Sequence, residues 1–238
     1  MSKKFKKSSR NRRNYIIGID EVGRGALAGP VTVVALALQT NIRTSQVHKT
    51  CDVPKLKDSK KLSSKQREEW FKWIKKHTNK LENVSMFYAV ESVSPKIIDK
   101  INISQAANLA ATSALKALIK NYKLRIQNCK VYLDGGLYLR ALRIENRELR
   151  SDNKIKNCNS QSSILNSQTI IKGDEKIPAI ALASIVAKVH RDKLMKRLHK
   201  KYPRYDFINN VGYGVKKHIK AIKKYGLSPI HRKSFKVH

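Results

Sequence analysis

YIIGIDEVGRGALAGP, residues 15–30, is the stretch whose reading decides the fold. Its first five residues, Tyr15-Ile16-Ile17-Gly18-Ile19, make an apolar run bounded by turn formers, the pattern of a buried strand. Two carboxylates, Asp20 and Glu21, follow at once, then Gly23-Arg24-Gly25 and Gly29-Pro30. Neighbouring residues of a strand point to opposite faces, so a regular pleat cannot aim both carboxylates into one site. Either the strand ends or bulges there, or one carboxylate acts indirectly. The glycines permit unusual φ angles and leave amides uncovered, which suits a close approach of backbone to something else. A strand ending in an acidic turn would explain the pair in isolation. However, the chain carries only 17 acidic residues against 51 basic ones, so adjacent carboxylates in an apolar, glycine-rich setting stand out. A divalent cation of the Mg²⁺ or Mn²⁺ type, which prefers oxygen ligands, would relieve their repulsion.

Outward from this stretch, Val31–Leu38 reads as a second strand, antiparallel to the first because the link is short. A helix is expected from about Ser64 to His77, capped by Ser64, with Trp70, Phe71 and Ile74 on one face. Val84–Val93 reads as a third strand, and Pro95 opens a short helical segment. Ile103–Tyr122 is the clearest helix, with Ala106, Ala107, Ala110, Ala111 and Ala114 among its apolar positions, implying close packing on a sheet. Cys129–Asp134 repeats the design of the first strand: an apolar run, a carboxylate at its carboxyl end, then Gly135-Gly136. Residues 138–168 are rich in Asn, Ser, Arg and Lys and read as a mobile insertion. Order returns at Thr169–Asp174, and a helix is expected from Pro178 to about Lys200.

The composition bounds the function. A chain of 238 residues is one domain, or one domain with appendages, and can bury a substantial core. Its net charge of +34 favours a polyanionic partner, nucleic acid first. Residues 1–14 hold seven Lys or Arg and no acid, and read as a disordered basic arm. From Lys188 onward sixteen Lys or Arg face two acids and are interleaved with aromatics, a mixture suited to phosphate contacts and stacking; a solvated basic helix is the plainer alternative. The scattered Cys51, Cys129 and Cys158 show neither metal-ligand spacing nor a disulfide framework, so a cytoplasmic location is expected. Nothing in the sequence approaches a membrane span or a signal peptide.

Asp20, Glu21, Asp134 and Asp174 lie far apart in sequence, but the first and third of these positions are strand ends. If those strands are neighbours, their carboxylates gather and could hold two cations roughly 4 Å apart, the arrangement that serves in-line phosphoryl transfer.

Five motifs then carry a resemblance: GIDEVGRGALAGP (18–30), LKDSKKLS (56–63), YLDGG (132–136), KGDEKIPAIALASIVAKVHRD (172–192) and GYGVKKHIKAIKKYGLSPIHRKSF (212–235). Together and in this order they resemble ribonuclease HII, the type 2 ribonuclease H family, over nearly all of Tyr15–Phe235 except the 138–168 segment. The resemblance implies a ribonuclease H-like α/β fold, a mixed five-stranded sheet flanked by helices, with a C-terminal helical, basic segment. It implies an endoribonuclease acting on RNA–DNA hybrids and cutting 5′ of single ribonucleotides in duplex DNA. Two Mg²⁺ or Mn²⁺ ions would serve it, leaving 3′-hydroxyl and 5′-phosphate ends. By this resemblance Asp20, Glu21, Asp134 and Asp174 are the catalytic metal ligands. Gly23, Arg24 and Gly25 contact the ribonucleotide's 2′-hydroxyl through their backbone, Tyr213 senses the ribose-to-deoxyribose junction, and Lys57, Ser59 and Lys60 lie in a phosphate-contacting segment. Asp192 is the rival for the fourth acid, set aside because it sits within a helix beside Arg191. The sequence departs from the family pattern at Val22, at Ala26, at Asn210-Val211 in place of a basic pair, and in the length between Asp134 and Asp174. A monomer is expected, and the resemblance assigns no sliding-clamp partner. The rival class is a non-enzymatic basic nucleic-acid-binding protein, which would bind as well without Asp20 or Asp134.

Overall fold

The computed structural model describes residues 14–39, 62–78, 86–139 and 167–237. Residues 1–13 of the expected basic arm, the body of the 138–168 insertion, and Lys57, Ser59 and Lys60 lie outside the described residues. The strands are β1 (Tyr15–Val22), β2 (Val31–Gln39), β3 (Met86–Val93), β4 (Cys129–Asp134) and β5 (Ser167–Ile170). They form one mixed sheet in the order β3-β2-β1-β4-β5. β1 runs antiparallel to β2 and parallel to β4, so the strand that opens the chain ends up in the middle of the sheet.

Each face of the sheet is covered by a helix. On one face α3 (Ile103–Tyr122) lays its alanines against Ile17, Ile19, Val33 and Ala35. Short side chains let helix and sheet approach closely, and the near-complete burial of that stripe gives the helix its stability. On the other face α5 (Pro178–Lys201) and α1 (Ser64–His77) cover Val34, Leu36 and Leu38. Sandwiched in this way, β2 is buried on both sides, which accounts for its unbroken apolar run. α2 (Pro95–Ile101) leads into α3.

The cap of α1 is Ser63 rather than the expected Ser64. Ser63 Oγ accepts from Gln66 N at 3.2 Å, and Gln66 Oε1 accepts from Ser63 N at 2.8 Å. The reciprocal pair needs an amide or acid three residues on, which Ser63 has in Gln66 and Ser64 lacks in Arg67.

After β5 come the short α4 (Gly173–Lys176) and then α5. Beyond α5 the chain forms α6 (Phe207–Asn210) and α7 (Lys216–Tyr225) around a third small core of Ala28, Met195, Tyr205, Phe207 and Ile222. The final segment returns to the glycine-rich loop: Ile230 O accepts from Gly29 N, and Arg232 N donates to Leu27 O, each at 2.8 Å. Among the described residues no helix is long and apolar enough to cross a membrane.

Candidate active site

β1 stays in regular register with β2 through Val22, so the strand neither ends nor bulges at the acidic pair. Asp20 lies opposite Val34 and Glu21 opposite Val33. Directly paired residues share a face, so Asp20 points to the α5 side and Glu21 to the α3 side. What they have in common is the gap on the β4 side. Pairing of β1 with β4 stops at Ile19 and Leu133, and the next step in register sets Asp20 beside Asp134 at the carboxyl ends of two parallel strands.

Asp20 is 5 % exposed. Burial, then the neighbouring charge of Glu21, pushes its carboxyl up to about 7; a hydrogen bond from Ser184 opposes this, Asp134 adds to it, and Lys188 opposes it. Lys188 Nζ donates to Ser184 Oγ at 2.9 Å, one helical turn along α5. Asp134 Oδ1 accepts from Gly173 N at 2.8 Å, which draws α4 to the end of β4 and brings Asp174, 4 % exposed, into the same region. Glu21 Oε1 lies 3.3 Å from Arg24 Nη1, and Arg24 Nη2 donates to Gly136 O at 2.8 Å. Arg24 thereby ties the glycine loop to the turn that follows β4.

The donor set is made only of carboxylate oxygens, and its innermost member is a desolvated acid beside two like charges. That chemistry fits a hard divalent cation. As the side chains stand, however, no three His, Cys, Asp or Glu among the described residues are gathered into a cage.

Asp192 belongs elsewhere, with its Oδ2 3.5 Å from Arg67 Nη2. Its ion pair is thus with α1, not with the adjacent Arg191, whose guanidinium serves carbonyls on the other side.

Tyr213 is brought to the glycine loop by backbone. Gly212 O accepts from Leu27 N at 2.8 Å and from Ala28 N at 3.2 Å. Gly212 has φ +85, and a Cβ there would sit 2.5 Å from Ala28 O, so this docking requires glycine. The Tyr213 ring is 38 % exposed with the Arg191 guanidinium 5.5 Å from its centroid. Asn210, one of the departures from the family pattern, is buried. Its side chain accepts from Gly212 N at 2.8 Å and donates to Tyr205 O at 2.6 Å, shaping the turn rather than facing outward. Behind Tyr213, His218 Nδ1 bonds its carbonyl at 2.8 Å, His231 Nε2 lies 3.1 Å from His218 Nε2, and Ser228 N donates to His231 Nδ1 at 3.0 Å. One assignment of neutral tautomers satisfies this whole relay, and burial lowers both imidazole pKa values accordingly.

The sequence reading missed Ser184, Lys188, Arg191 and Arg232. A serine on an alanine-rich helix and cations within a basic tail carry no mark in the sequence that sets them apart.

Comparison with known proteins agrees with this geometry. The family model described as Ribonuclease HII matches residues 17–238. A ribonuclease HII from Oceanobacillus iheyensis is 38% identical over 97% of this chain and 71% of its own length. One from Endomicrobium trichonymphae is 39% identical over 97% and 90%. The ribonuclease H2 structure from Pyrococcus horikoshii superposes with a TM-score of 0.60 at 25% identity, covering 94% of each chain. Bst-RNase HIII in complex with Mn²⁺ shares the fold at a TM-score of 0.63 and 16% identity, over 93% of this chain and 67% of that one. With its family model matched from the middle of β1 to the C-terminus, this chain belongs to the ribonuclease HII family.

Proposed function

We propose that this ribonuclease cuts the RNA strand of RNA–DNA hybrids and also cuts 5′ of single ribonucleotides in duplex DNA, leaving 3′-hydroxyl and 5′-phosphate ends. The carrying observation is the meeting of Asp20 and Asp134 at adjacent strand ends, beside a glycine loop whose outer face is open. Asp20, Glu21, Asp134 and Asp174 would hold Mg²⁺ or Mn²⁺. When bound, such cations lower the pKa of an attacking water and stabilise the leaving oxygen. The chain's own part is positional. Glu21, held by Arg24 in this arrangement, would have to turn towards the gap to join a cation, while Ser184 and Lys188 orient Asp20 and the Gly173 amide fixes one oxygen of Asp134. Tyr213, half-exposed beside the loop, would stack on the sugar next to the ribonucleotide. The expected setting is a cytoplasmic monomer. The test is cleavage of duplex DNA containing one ribonucleotide, with and without Mg²⁺ or Mn²⁺. A purely binding protein would retain affinity and cut under neither condition.

The glycines of the loop provide a sharper check. Gly25 is exposed, its φ is not left-handed, and a Cβ there would meet nothing within 4 Å. Gly23 has φ +85, and its Cβ would overlap the Arg191 guanidinium. Gly25→Ala is therefore expected to leave the melting temperature within about 2 °C, a surface effect below roughly 0.5 kcal/mol, while ribonucleotide cleavage falls at least several-fold. Gly23→Ala should lower both. If Gly25→Ala cuts at the wild-type rate, the outer face of the loop does not meet substrate.

α7 presents Lys216, Lys217, Lys220, Lys223 and Lys224 outward, with His218 and Ile222 buried beneath. If this face tracks phosphates, neutralising Lys216, Lys217 and Lys220 should flatten the log Kd against log salt slope by about 0.9 per contact removed. An unchanged slope in a fluorescence-anisotropy titration would make α7 a solvated surface.

A further inference from the structure

The loop from Gly23 to Pro30 turns its carbonyls inward onto two buried guanidinium groups. Arg232 donates from Nε to Gly29 O at 3.0 Å, from Nη1 to Arg24 O at 2.8 Å and from Nη2 to Gly23 O at 2.6 Å. Arg191 donates from Nη1 to Pro30 O at 2.8 Å, and from Nη2 to Ala28 O at 3.1 Å and Val211 O at 2.9 Å. Both side chains are 1% exposed, and neither forms a salt bridge among the described residues. Burial, then the like charge of Arg191, pushes the Arg232 pKa down. Two adjacent buried cations are a costly arrangement, tolerable here because a planar fork of donors meets carbonyl dipoles that replace water. The segment carrying Arg232 is itself pinned: Asp99 accepts from Lys233 N at 3.1 Å, from Ser234 N at 3.0 Å and from Ser234 Oγ at 2.7 Å.

The consequence lies on the far side of the peptide planes. A trans peptide sets its N–H opposite its C=O. Arg232 holds the carbonyls of Gly23 and Arg24, so the amides of Arg24 and Gly25, on the same two planes, point away from it. The neighbouring amides are occupied within the protein: Ala26 N by Gly23 O, Leu27 N and Ala28 N by Gly212 O, and Gly29 N by Ile230 O. Among the described residues the Arg24 and Gly25 amides meet no acceptor. They lie at the one glycine of the loop that internal packing does not require.

We propose that Arg232 is a positioning residue for ribose recognition: by clamping two consecutive carbonyls it presents the Arg24 and Gly25 amides, side by side, to the oxygen of a 2′-hydroxyl. The inference rests on the reading of this site as one that cuts at embedded ribonucleotides. A lysine at 232 keeps the charge but not the planar fork, and cannot hold three carbonyls in this geometry.

The test compares wild type with Arg232→Lys on two duplexes of one sequence, with a single ribonucleotide or all DNA. KM is measured for the first and the competitive inhibition constant for the second. Neither constant depends on the fraction of active protein, so a merely structural defect lowers kcat and leaves their ratio alone. In Arg232→Lys the preference, inhibition constant over KM, should fall about tenfold, the loss of roughly one good hydrogen bond, with the all-DNA constant unchanged within about twofold. Arg232→Lys with the wild-type preference overturns the positioning role alone. A wild type that shows no preference sinks the functional reading, and the inference with it. If Arg232→Lys does not fold, the wild type answers through its amide resonances. Bound to a ribonucleotide duplex whose scissile bridging oxygen is replaced by methylene, the Arg24 and Gly25 amides should shift relative to the all-DNA complex. Identical shifts in the two complexes overturn the proposal.

Discussion

Asp134→Asn is expected to lower cleavage at least about a thousandfold at saturating Mg²⁺, since the charge that a cation site supplies to phosphoryl transfer is worth several kcal/mol. Affinity for the duplex should be retained or improve, because one negative charge facing the phosphates is gone. The substitution keeps the carbonyl-type oxygen that accepts from Gly173 N, so α4 and Asp174 need not move. Single-turnover cleavage paired with anisotropy separates the two effects; a rate near wild type would remove Asp134 from the site. Asp20→Asn should match this loss and add a second signature. In the metal-free protein the folded-state pKa of Asp20 is raised to about 7 from 3.8. The folded state then holds the proton more tightly than the unfolded state, so stability falls as pH rises from about 4 to about 7. Asparagine removes that slope. Asp20→Asn in EDTA at pH 8 should accordingly be more stable than wild type, by on the order of a few kcal/mol. An enzyme inactivated and stabilised by one change carries a charge kept for function rather than for folding. Equal urea midpoints for the two proteins at pH 8 would contradict this.

The apolar run before Asp20 made β1 legible, since a strand buried on both faces shows as nearly continuous hydrophobicity; β4 was legible from the carboxylate and glycines that close its run, although Lys130 within it is exposed and Tyr132 half-buried. Their adjacency was legible only as a condition, because parallel pairing leaves no local mark in sequence. The relation of Asp20 to Glu21 shows a different limit. The pleat rule correctly places them on opposite faces, but their shared border arises from where β4 ends, a property of another strand. Ser184 and Lys188 were hidden because a serine and a lysine one turn apart on an alanine-rich helix look like packing and charge. Arg191 and Arg232 were hidden more deeply. Their partners are backbone carbonyls, which every residue possesses, so no partner residue type marks the contact. The resemblance named the glycine loop; only the fold shows which of its carbonyls are held and which of its amides are left outward.

Gly18→Ala is expected to be the most destabilising single-methyl change in the molecule. Gly18 sits in mid-strand on the α5 face, and a Cβ there would overlap the backbone of Ala179 and Ile180 at the start of α5. Overpacking against a side chain can be relieved by a rotamer change. Here the obstacle is main chain, so the helix must lift from the sheet. The cost should reach the top of the usual overpacking range, about 3 kcal/mol, corresponding to a fall in melting temperature of roughly 6–12 °C for a chain of this size. The functional loss should be larger than unfolding explains. Asp20 lies two residues along the same face and Ser184 about one turn along the same helix, so the lift opens the contact that orients the buried carboxyl. At a temperature where the variant remains folded by circular dichroism, kcat per folded molecule should still be reduced by at least about tenfold, as expected when a catalytic group shifts by a fraction of an ångström or more. Gly25→Ala supplies the contrast, adding the same methyl group to open space. If Gly18→Ala melts within about 2 °C of wild type, strand and helix can part without consequence, and the close approach of α5 does not hold Asp20 in place.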